Sequence, residues 1–202
     1  MGRLAVLGLL GALTACGSDP SPASTAPGGG QRATAVFAGG CFWCTESDFD
    51  KMPGVIATVS GYTGGRTANP TYEQVSAGGT GHIEAVRVTY DPARVSYAQL
   101  AARFMRTIDP LDAGGSFCDR GYQYRAAFFV ANAEQRRVAE AMNARTQQVL
   151  KKPVATLVLP AATFTPAEDY HQDYYKKNPI RYRFYRSRCG RDARLAEVWG
   201  GK

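Results

Sequence analysis

Histidine is scarce in this chain, and closely spaced cysteines occur in one place only. The chain contains two histidines, His82 and His171, which stand far apart in the sequence. A structural zinc site usually takes four ligands, often from two paired sets, and the pair formed by Cys41 and Cys44 has no second pair to match it. We therefore expect no metal site.

Nucleic-acid-binding motifs are absent too, although the chain is basic. It carries 24 lysines and arginines against 17 aspartates and glutamates, a formal net charge of +7. The positive residues are scattered, and tyrosines interleave the densest stretch, 176–191. We expect a solvent-exposed basic surface and no nucleic-acid partner.

The apolar run at the start of the chain is too short to span a bilayer. Residues 4–12 are apolar, follow a positive start and end in small residues before Cys16. This pattern is typical of a secretory signal and resembles a bacterial lipoprotein signal, in which cleavage precedes a cysteine that takes the lipid. The resemblance implies a signal peptide over 1–15, lipid on Cys16 and a periplasm-facing, membrane-anchored protein, with Gly17 favouring the outer membrane.

Large apolar residues are missing from 17–33, a stretch rich in Pro, Gly and Ser. Such a segment buries too little surface to offset the entropy that is lost on ordering. We expect a flexible tether over 16–33 and one folded domain over 34–202, which is large enough not to need disulfides.

The hydrophobic pattern of the domain alternates between strands and helices. Strands are predicted at 34–38, 55–62, 82–91, 124–131 and 154–159, and helices at 41–52, 96–107, 132–150 and 169–176. The third helix places Val138, Met142 and Val149 inward. Beyond it the tail is polar and basic, with a further helix indicated at 195–199. Strands separated by two longer helices predict an α+β, two-layer domain with a mixed sheet and covering helices.

Cys41 follows a strand and two glycines and begins a predicted helix. The unpaired N–H groups at a helix N-terminus favour a thiolate, the reactive form of cysteine. Cys44 lies one turn later, near enough for a disulfide. With Cys118 and Cys189 the domain has four cysteines, and their pairing is open.

Three functions fit the Cys-Phe-Trp-Cys sequence. A nucleophile in an aromatic pocket needs a nearby acid whose pKa is raised by burial. An exported thiol-disulfide oxidoreductase uses Cys41 and Cys44 as a pair, although the bulky Phe-Trp spacer favours a pocket. A non-catalytic, disulfide-stabilised lipoprotein that binds a partner needs neither thiol to react.

The strings "GGCFWCTE", "GYTGG", "NPTYEQV", "GHIEAVRVTYDP", "GYQYR" and "AEDYHQDYY" occur in this order between about 34 and 178. In order and spacing they resemble the A class of peptide methionine sulfoxide reductases. The resemblance implies an α+β fold with a ferredoxin-like arrangement, no cofactor, and reduction of the S epimer of methionine sulfoxide, free or in oxidised proteins and peptides, by a protein expected to be a monomer.

The same resemblance implies roles for individual residues. Cys41 is then the nucleophile and Glu84 the proton donor. Tyr62 and Tyr124 hold the sulfoxide oxygen, and Asp119 helps to shape the site. The remaining matches are Phe42 and Trp43, which line the pocket for the substrate methyl group, and His171, which lies in a family motif without an assigned role.

The implied reaction oxidises Cys41 to a sulfenic acid, which a second thiol resolves to a disulfide for reduction by a thioredoxin-like dithiol. Resolving cysteines in this family usually lie near the C-terminus, and Cys189 lies on a glycine-flanked tail. We therefore expect Cys189 as the first candidate and Cys44 as the second. Cys118, beside Asp119, is a third.

Overall fold

The computed structural model describes residues 1–2 and 31–200. The predicted lipidation site, Cys16, and most of the predicted signal and tether lie outside the described residues. The strands are β1 (Ala33–Ala38), β2 (Val55–Thr63), β3 (Ile83–Tyr90), β4 (Gly115–Ser116), β5 (Asp119–Arg120), β6 (Ala127–Val130), β7 (Leu157–Pro160) and β8 (Phe164–Pro166). The helices are α1 (Phe42–Phe49), α2 (Tyr72–Ser76), α3 (Tyr97–Arg106), α4 (Ala133–Leu150), α5 (Tyr174–Lys177), α6 (Pro179–Arg188) and α7 (Arg191–Trp199).

Six strands form one mixed sheet in the order β7-β6-β1-β3-β2-β8. All neighbours are antiparallel except β6 and β7, which are parallel. Within the sheet, β6 (AFFV) is apolar and buried along its whole length, and the central strand β3 is buried at six of its eight positions. The short strands β4 and β5 form a separate hairpin. The α+β prediction is confirmed.

The main core lies between the sheet and the longer helices. Phe37 of β1 and Phe128 of β6 pack there against Phe49 of α1 and Phe104 of α3. A smaller apolar cluster, which includes Ile83 and Phe129, covers the opposite face. The sheet is thereby fixed from both sides, and the ends of β1 and β3 are held where the site forms.

Side-chain caps define the starts of α3 and α4. Ser96 accepts the N–H of Gln99 in a capping box that begins α3, and Asn132 accepts the N–H of Gln135 at the start of α4. The prediction that Val149 faces inward is wrong, because its side chain on α4 is 40% exposed.

The predicted strand at 124–131 begins later, at Ala127, because Tyr122–Tyr124 form a single 3₁₀ turn after Gly121. Gly121 has a φ of 119°, a backbone conformation that side chains rarely allow. This turn aims Tyr124 out of the sheet.

The basic tail is not a loose segment but two packed helices, α6 and α7. Buried Arg191 donates to the carbonyl oxygens of Gly39 and Thr107, and Trp199 donates to that of Ile108. The sequence pattern did not predict this packing, because hydrogen bonds of cationic and aromatic side chains, rather than an apolar stripe, attach the two helices to the domain. Within the described residues, no helix has the length and apolar content that crossing a membrane requires.

Candidate active site

A strand, a glycine turn and a helix place Cys41. β1 ends at Ala38, and Cys41 occupies the N-cap of α1 with its carbonyl oxygen accepting the N–H of Thr45. Gly40 has a φ of 79°, and a Cβ there would lie 2.4 Å from the Cβ of Ser116. Glycine is therefore required at this turn, which brings the chain bearing Cys41 close to the β4–β5 hairpin.

The Cys41 side chain faces a cavity of about 200 Å³. Larger hollows of about 380 Å³ occur elsewhere on the surface, but no cysteine lines them. The residues around the smaller cavity are Cys41, Phe42, Trp43, Tyr72, Glu84, Asp119, Tyr124 and Tyr185. The cavity thus combines a thiol, two carboxyl groups and several phenols with aromatic walls.

Glu84 reaches the cavity from the central strand β3 and is 2% exposed. Burial raises the pKa of this carboxyl to about 8, and the hydrogen bond that it accepts from the backbone N–H of Phe42, at 3.0 Å, opposes the rise. The side chain is therefore mainly protonated at neutral pH. It holds an available proton next to the sulfur.

Burial also raises the pKa of the Cys41 thiol, together with its hydrogen bond to Cys44 and the nearby carboxyl groups of Glu84 and Asp119. The helix N-terminus was predicted to favour the Cys41 thiolate, and in this site burial and the neighbouring acids act against that effect. The first helical N–H, that of Phe42, is directed to Glu84 instead. Cys41 consequently holds its proton until a substrate changes its surroundings.

Cys44 shows the opposite shift. Its hydrogen bond with Cys41 lowers its pKa to about 7, burial opposes this, and the guanidinium groups of Arg191 and Arg186 support it. Both cysteines are free thiols and both are buried. The negative charge of this pair is therefore more stable on Cys44 than on Cys41.

Tyr62, which was predicted to hold the substrate oxygen, does not line the cavity in this structure. Its side chain is fully buried, and its hydroxyl donates to Glu168 at 2.8 Å rather than pointing into the cavity. Glu168 also accepts the backbone N–H of Tyr72 at 2.9 Å. Tyr72, together with Tyr124, supplies the phenols beside Glu84. Tyr62 therefore acts indirectly, because its hydroxyl holds the Glu168 carboxylate that accepts the backbone N–H of Tyr72.

Phe42 and Trp43 both lie in the cavity wall, as predicted. The indole of Trp43 stacks on Tyr174 with ring centroids 3.8 Å apart. Its Nε1–H donates to Nδ1 of His171 at 3.0 Å, and burial lowers the pKa of that imidazole. A neutral His171 therefore holds Trp43 in place, a role for which the sequence offered no signal.

Asp119 stands beside the sulfur as predicted, and its carboxylate accepts the hydroxyl hydrogen of Tyr185. Tyr185 also forms a hydrogen bond with Cys41, and its ring meets the edge of Trp43 at 5.6 Å. No sequence pattern indicated Tyr185, because it lies among arginines in the tail. The NPTY motif did contain Tyr72, but the pattern alone did not separate it from Tyr62.

A disulfide joins Cys118 to Cys189 beside this site. Cys118 precedes Asp119, and Cys189 lies one helical turn after Tyr185. The bond thus links the two segments that bring this carboxylate and this phenol to the cavity. In the part of the chain that the structure describes, Cys118, Asp119 and Cys189 are the one group with a spacing suited to a metal ion, and the disulfide engages both sulfurs.

Comparison with known proteins gives a consistent result. The family described as "Peptide methionine sulfoxide reductase" matches residues 33–202. The chain is 52% identical to the peptide methionine sulfoxide reductase MsrA 2 of Caulobacter vibrioides, over 100% of both chains. It is also 51% identical to the MsrA/MsrB protein of Vibrio cholerae over 91% of this chain, and it spans 49% of that longer protein. Among solved structures, methionine sulfoxide reductase A of Corynebacterium diphtheriae matches with a TM-score of 0.66 and 34% identity, covering 74% of this chain and 76% of that one.

Proposed function

The chain belongs to the peptide methionine sulfoxide reductase family, in its A class, and we propose that its reaction takes place at Cys41 in the aromatic cavity. The activity is the reduction of methionine sulfoxide to methionine by thiol chemistry. One observation carries the assignment of the site. The thiol of Cys41 and a protonated Glu84 share a cavity of about 200 Å³ whose walls are aromatic.

Substrate binding uses both properties of the cavity. The rings of Phe42 and Trp43 contact the methyl group, and the hydroxyl groups of Tyr72 and Tyr124 donate to the sulfoxide oxygen. Both hydroxyl groups keep their protons and can donate them in hydrogen bonds, because burial raises the pKa of both tyrosines. Sulfoxide sulfur is chiral, so a cavity with methyl and oxygen subsites on different walls accepts one epimer, which we propose to be S.

Proton transfer from Glu84 makes the sulfoxide oxygen a leaving group. The positive charge that develops on the substrate then lowers the pKa of the adjacent Cys41 thiol. The thiol passes its proton to the Glu84 carboxylate, which is thereby restored to its acid form, and the thiolate attacks the sulfoxide sulfur. Oxygen passes from the substrate to Cys41, whose sulfur is oxidised to a sulfenic acid while the substrate sulfur is reduced to the thioether. Methionine leaves the cavity.

Cys44 is the thiol best placed to resolve this sulfenic acid. It already contacts Cys41, and its lowered pKa supplies the attacking thiolate. The new sulfur–sulfur bond forms as the hydroxyl group of the sulfenic acid leaves as water. Cys189, the first candidate from sequence, is bonded to Cys118 in this structure, so we place it after Cys44 in the order of events.

The reductant is proposed to be a thioredoxin-like dithiol, and no resident cofactor takes part. Cys41 and Cys44 are 6% and 1% exposed, whereas Cys118 lies at the surface. A protein dithiol therefore meets the Cys118–Cys189 bond first. The thiols that it releases there pass electrons to the buried pair by disulfide exchange.

The decisive experiment incubates the protein with dithiothreitol and a racemic methionine sulfoxide peptide. We expect loss of the S epimer alone, no reaction with Cys41→Ser, and about one methionine per protein from Cys44→Ser in a single turnover. Sulfoxide reduction by Cys41→Ser would refute the nucleophile. Insulin reduction without loss of sulfoxide would instead identify a thiol-disulfide oxidoreductase.

We also propose that the protein is exported and held at a membrane by lipid on Cys16, with 1–15 as the signal and 34–202 as the catalytic domain. The sequence pattern before Cys16 supports this. Fractionation of bacteria that express the full chain tests it. Cys16→Ala should move the protein out of the membrane fraction, and an unchanged distribution would contradict the lipid anchor.

A further inference from the structure

The two most exposed large apolar side chains in the folded domain lie beside the active site. Ile180 is 75% exposed and Phe184 is 69% exposed, both on α6. Monomeric proteins tolerate scattered exposed apolar residues, but neighbouring ones at a site mark an interaction surface. Ile180 and Phe184 therefore indicate an interaction surface on α6.

The helix that carries this apolar pair also supplies a residue of the cavity wall. Ile180 and Phe184 are one turn apart and share a face of α6. Phe184 is followed directly by Tyr185, whose ring lines the cavity and meets Trp43. The exposed apolar pair and a cavity residue thus occupy neighbouring positions on one helix.

Unpaired positive charge accompanies the apolar pair. Arg181, Arg183 and Arg188 are exposed on α6, and in the described part of the chain none of them forms an ion pair. Arg186 differs, because it is held by Asp48 and Asp192. Three free guanidinium groups around two apolar side chains favour a ligand that is itself apolar and acidic.

We propose that this surface, the α6 shelf (Ile180, Arg181, Arg183, Phe184 and Arg188), binds the polypeptide that flanks the methionine sulfoxide in a substrate protein. It favours extended segments with apolar and acidic neighbours over basic ones. The inference rests on the proposed function, since it needs methionine sulfoxide in the adjoining cavity. The shelf makes no contact with the reacting atoms, so it determines specificity without taking part in the chemistry.

A segment of substrate suits this shelf better than other occupants. The shelf lies on the helix that supplies Tyr185 to the cavity wall, so the polypeptide around a bound methionine sulfoxide lies close to α6. Exposed Tyr170 and Tyr122 lie near cavity residues or their supports in the sequence, Tyr170 beside His171 and Tyr122 in the turn that carries Tyr124. An unfolded chain, with its apolar residues exposed, can bind such separate apolar side chains.

The test compares a small substrate with peptides, using dithiothreitol as the reductant so that no protein partner is needed. N-acetyl-methionine sulfoxide amide probes the cavity alone. Two peptides probe the shelf, one with leucine and glutamate around the sulfoxide and one with serine and lysine. The enzyme variants are Ile180→Ser with Phe184→Ser, and the matched control is Val149→Ser on α4, an exposed apolar residue on another helix.

We expect the double variant to lose about tenfold in kcat/KM for the leucine–glutamate peptide and to keep its value for the small amide. The control variant should behave as the natural protein. The preference for the acidic peptide over the basic one should shrink as salt rises from about 0.02 M to 0.5 M, because the arginines are solvent-exposed.

Each contrary result has a distinct meaning. Equal losses for amide and peptide would show a structural effect on the cavity, and equal losses for Val149→Ser would show a nonspecific one, so either overturns the shelf. A loss seen only when thioredoxin replaces dithiothreitol would assign the surface to the reductant. Dimer dissociation by the double variant would assign it to a second copy. No reduction of any substrate by the natural protein would refute the proposed function itself.

Discussion

Burial and charge determine which groups around Cys41 hold protons. Glu84 and Cys41 have raised pKa values because both are buried near other acids, whereas the hydrogen bond with Cys41, supported by two arginines, lowers that of Cys44. The resting site therefore contains a protonated acid, a protonated nucleophile and a partly ionised neighbour. Chemistry starts when the substrate accepts the proton from Glu84, so the Cys41 thiolate forms only beside a bound sulfoxide.

Replacing Glu84 tests whether the reaction depends on the proton of this carboxyl. Glu84→Gln should lower the single-turnover rate about 100-fold to 10,000-fold, the range for a lost general acid, and acid pH should partly restore it. In the natural protein the rate should fall as pH rises through about 8, because the acid form is lost there. Stopped-flow measurement of the Trp43 fluorescence change gives these profiles. An unchanged rate in the variant would remove Glu84 from the mechanism.

The two tyrosines are distinguished by matched substitutions. Tyr72→Phe removes a hydroxyl at the cavity and should lower kcat about tenfold or more, as the loss of one hydrogen bond to a developing charge does. Tyr62→Phe leaves the cavity hydroxyls in place and frees one oxygen of Glu168, so its effect should be smaller and should include lower stability. Steady-state kinetics and thermal unfolding of the two variants measure these effects on kcat and on stability. A larger kcat loss in Tyr62→Phe would reverse the assignment.

At the scale of secondary-structure elements, local signals were sufficient where local forces determine the structure. The capping residues Ser96 and Asn132 and the glycines before Cys41 define helix starts through contacts within a few residues, so the sequence predicted them. The α6–α7 segment depends instead on Arg191 and Cys189, whose partners lie far away in the chain. No periodic pattern reveals such partners, and Tyr185 was missed for the same reason.

The disulfide should contribute most to the stability of this segment. It joins cysteines 71 residues apart, and the entropy of closing such a loop is worth about 4 kcal/mol of unfolding free energy. Cys118→Ala with Cys189→Ala should therefore unfold at lower denaturant concentration. With dithiothreitol present, its single-turnover rate should remain measurable, because Cys41 and Cys44 are intact. Urea titration followed by circular dichroism tests the first point, and an unchanged midpoint would contradict it.

For the whole molecule, buried carboxyl groups of α1 connect segments that lie far apart in the sequence. Glu46 of α1 accepts the backbone N–H of Asp173 at 3.0 Å and so ties α1 to the loop that carries His171 and Tyr174. Burial raises the pKa of Glu46 to about 7. The folded protein therefore binds this proton more tightly than the unfolded chain does.

This linkage gives a stability prediction with a definite sign. Because the folded-state pKa is above the ordinary value of 4.5, the contribution is complete below about pH 4.5 and is lost as pH rises through about 7. Buried His171, whose pKa is lowered, acts in the opposite direction, so the comparison must be with a variant. From pH 5 to pH 8, Glu46→Gln should gain up to about 3 kcal/mol relative to the natural protein. A difference independent of pH would contradict the shift.

The division of the four cysteines into a buried pair and a surface pair also fixes how many electrons the enzyme stores. Fully reduced, the domain holds four in its thiols, which is enough for two sulfoxides before any partner arrives. Counting methionine released without added reductant should give about two per protein, and about one when Cys118 is replaced by alanine. The enzyme would thus keep working for one further cycle between encounters with its electron source.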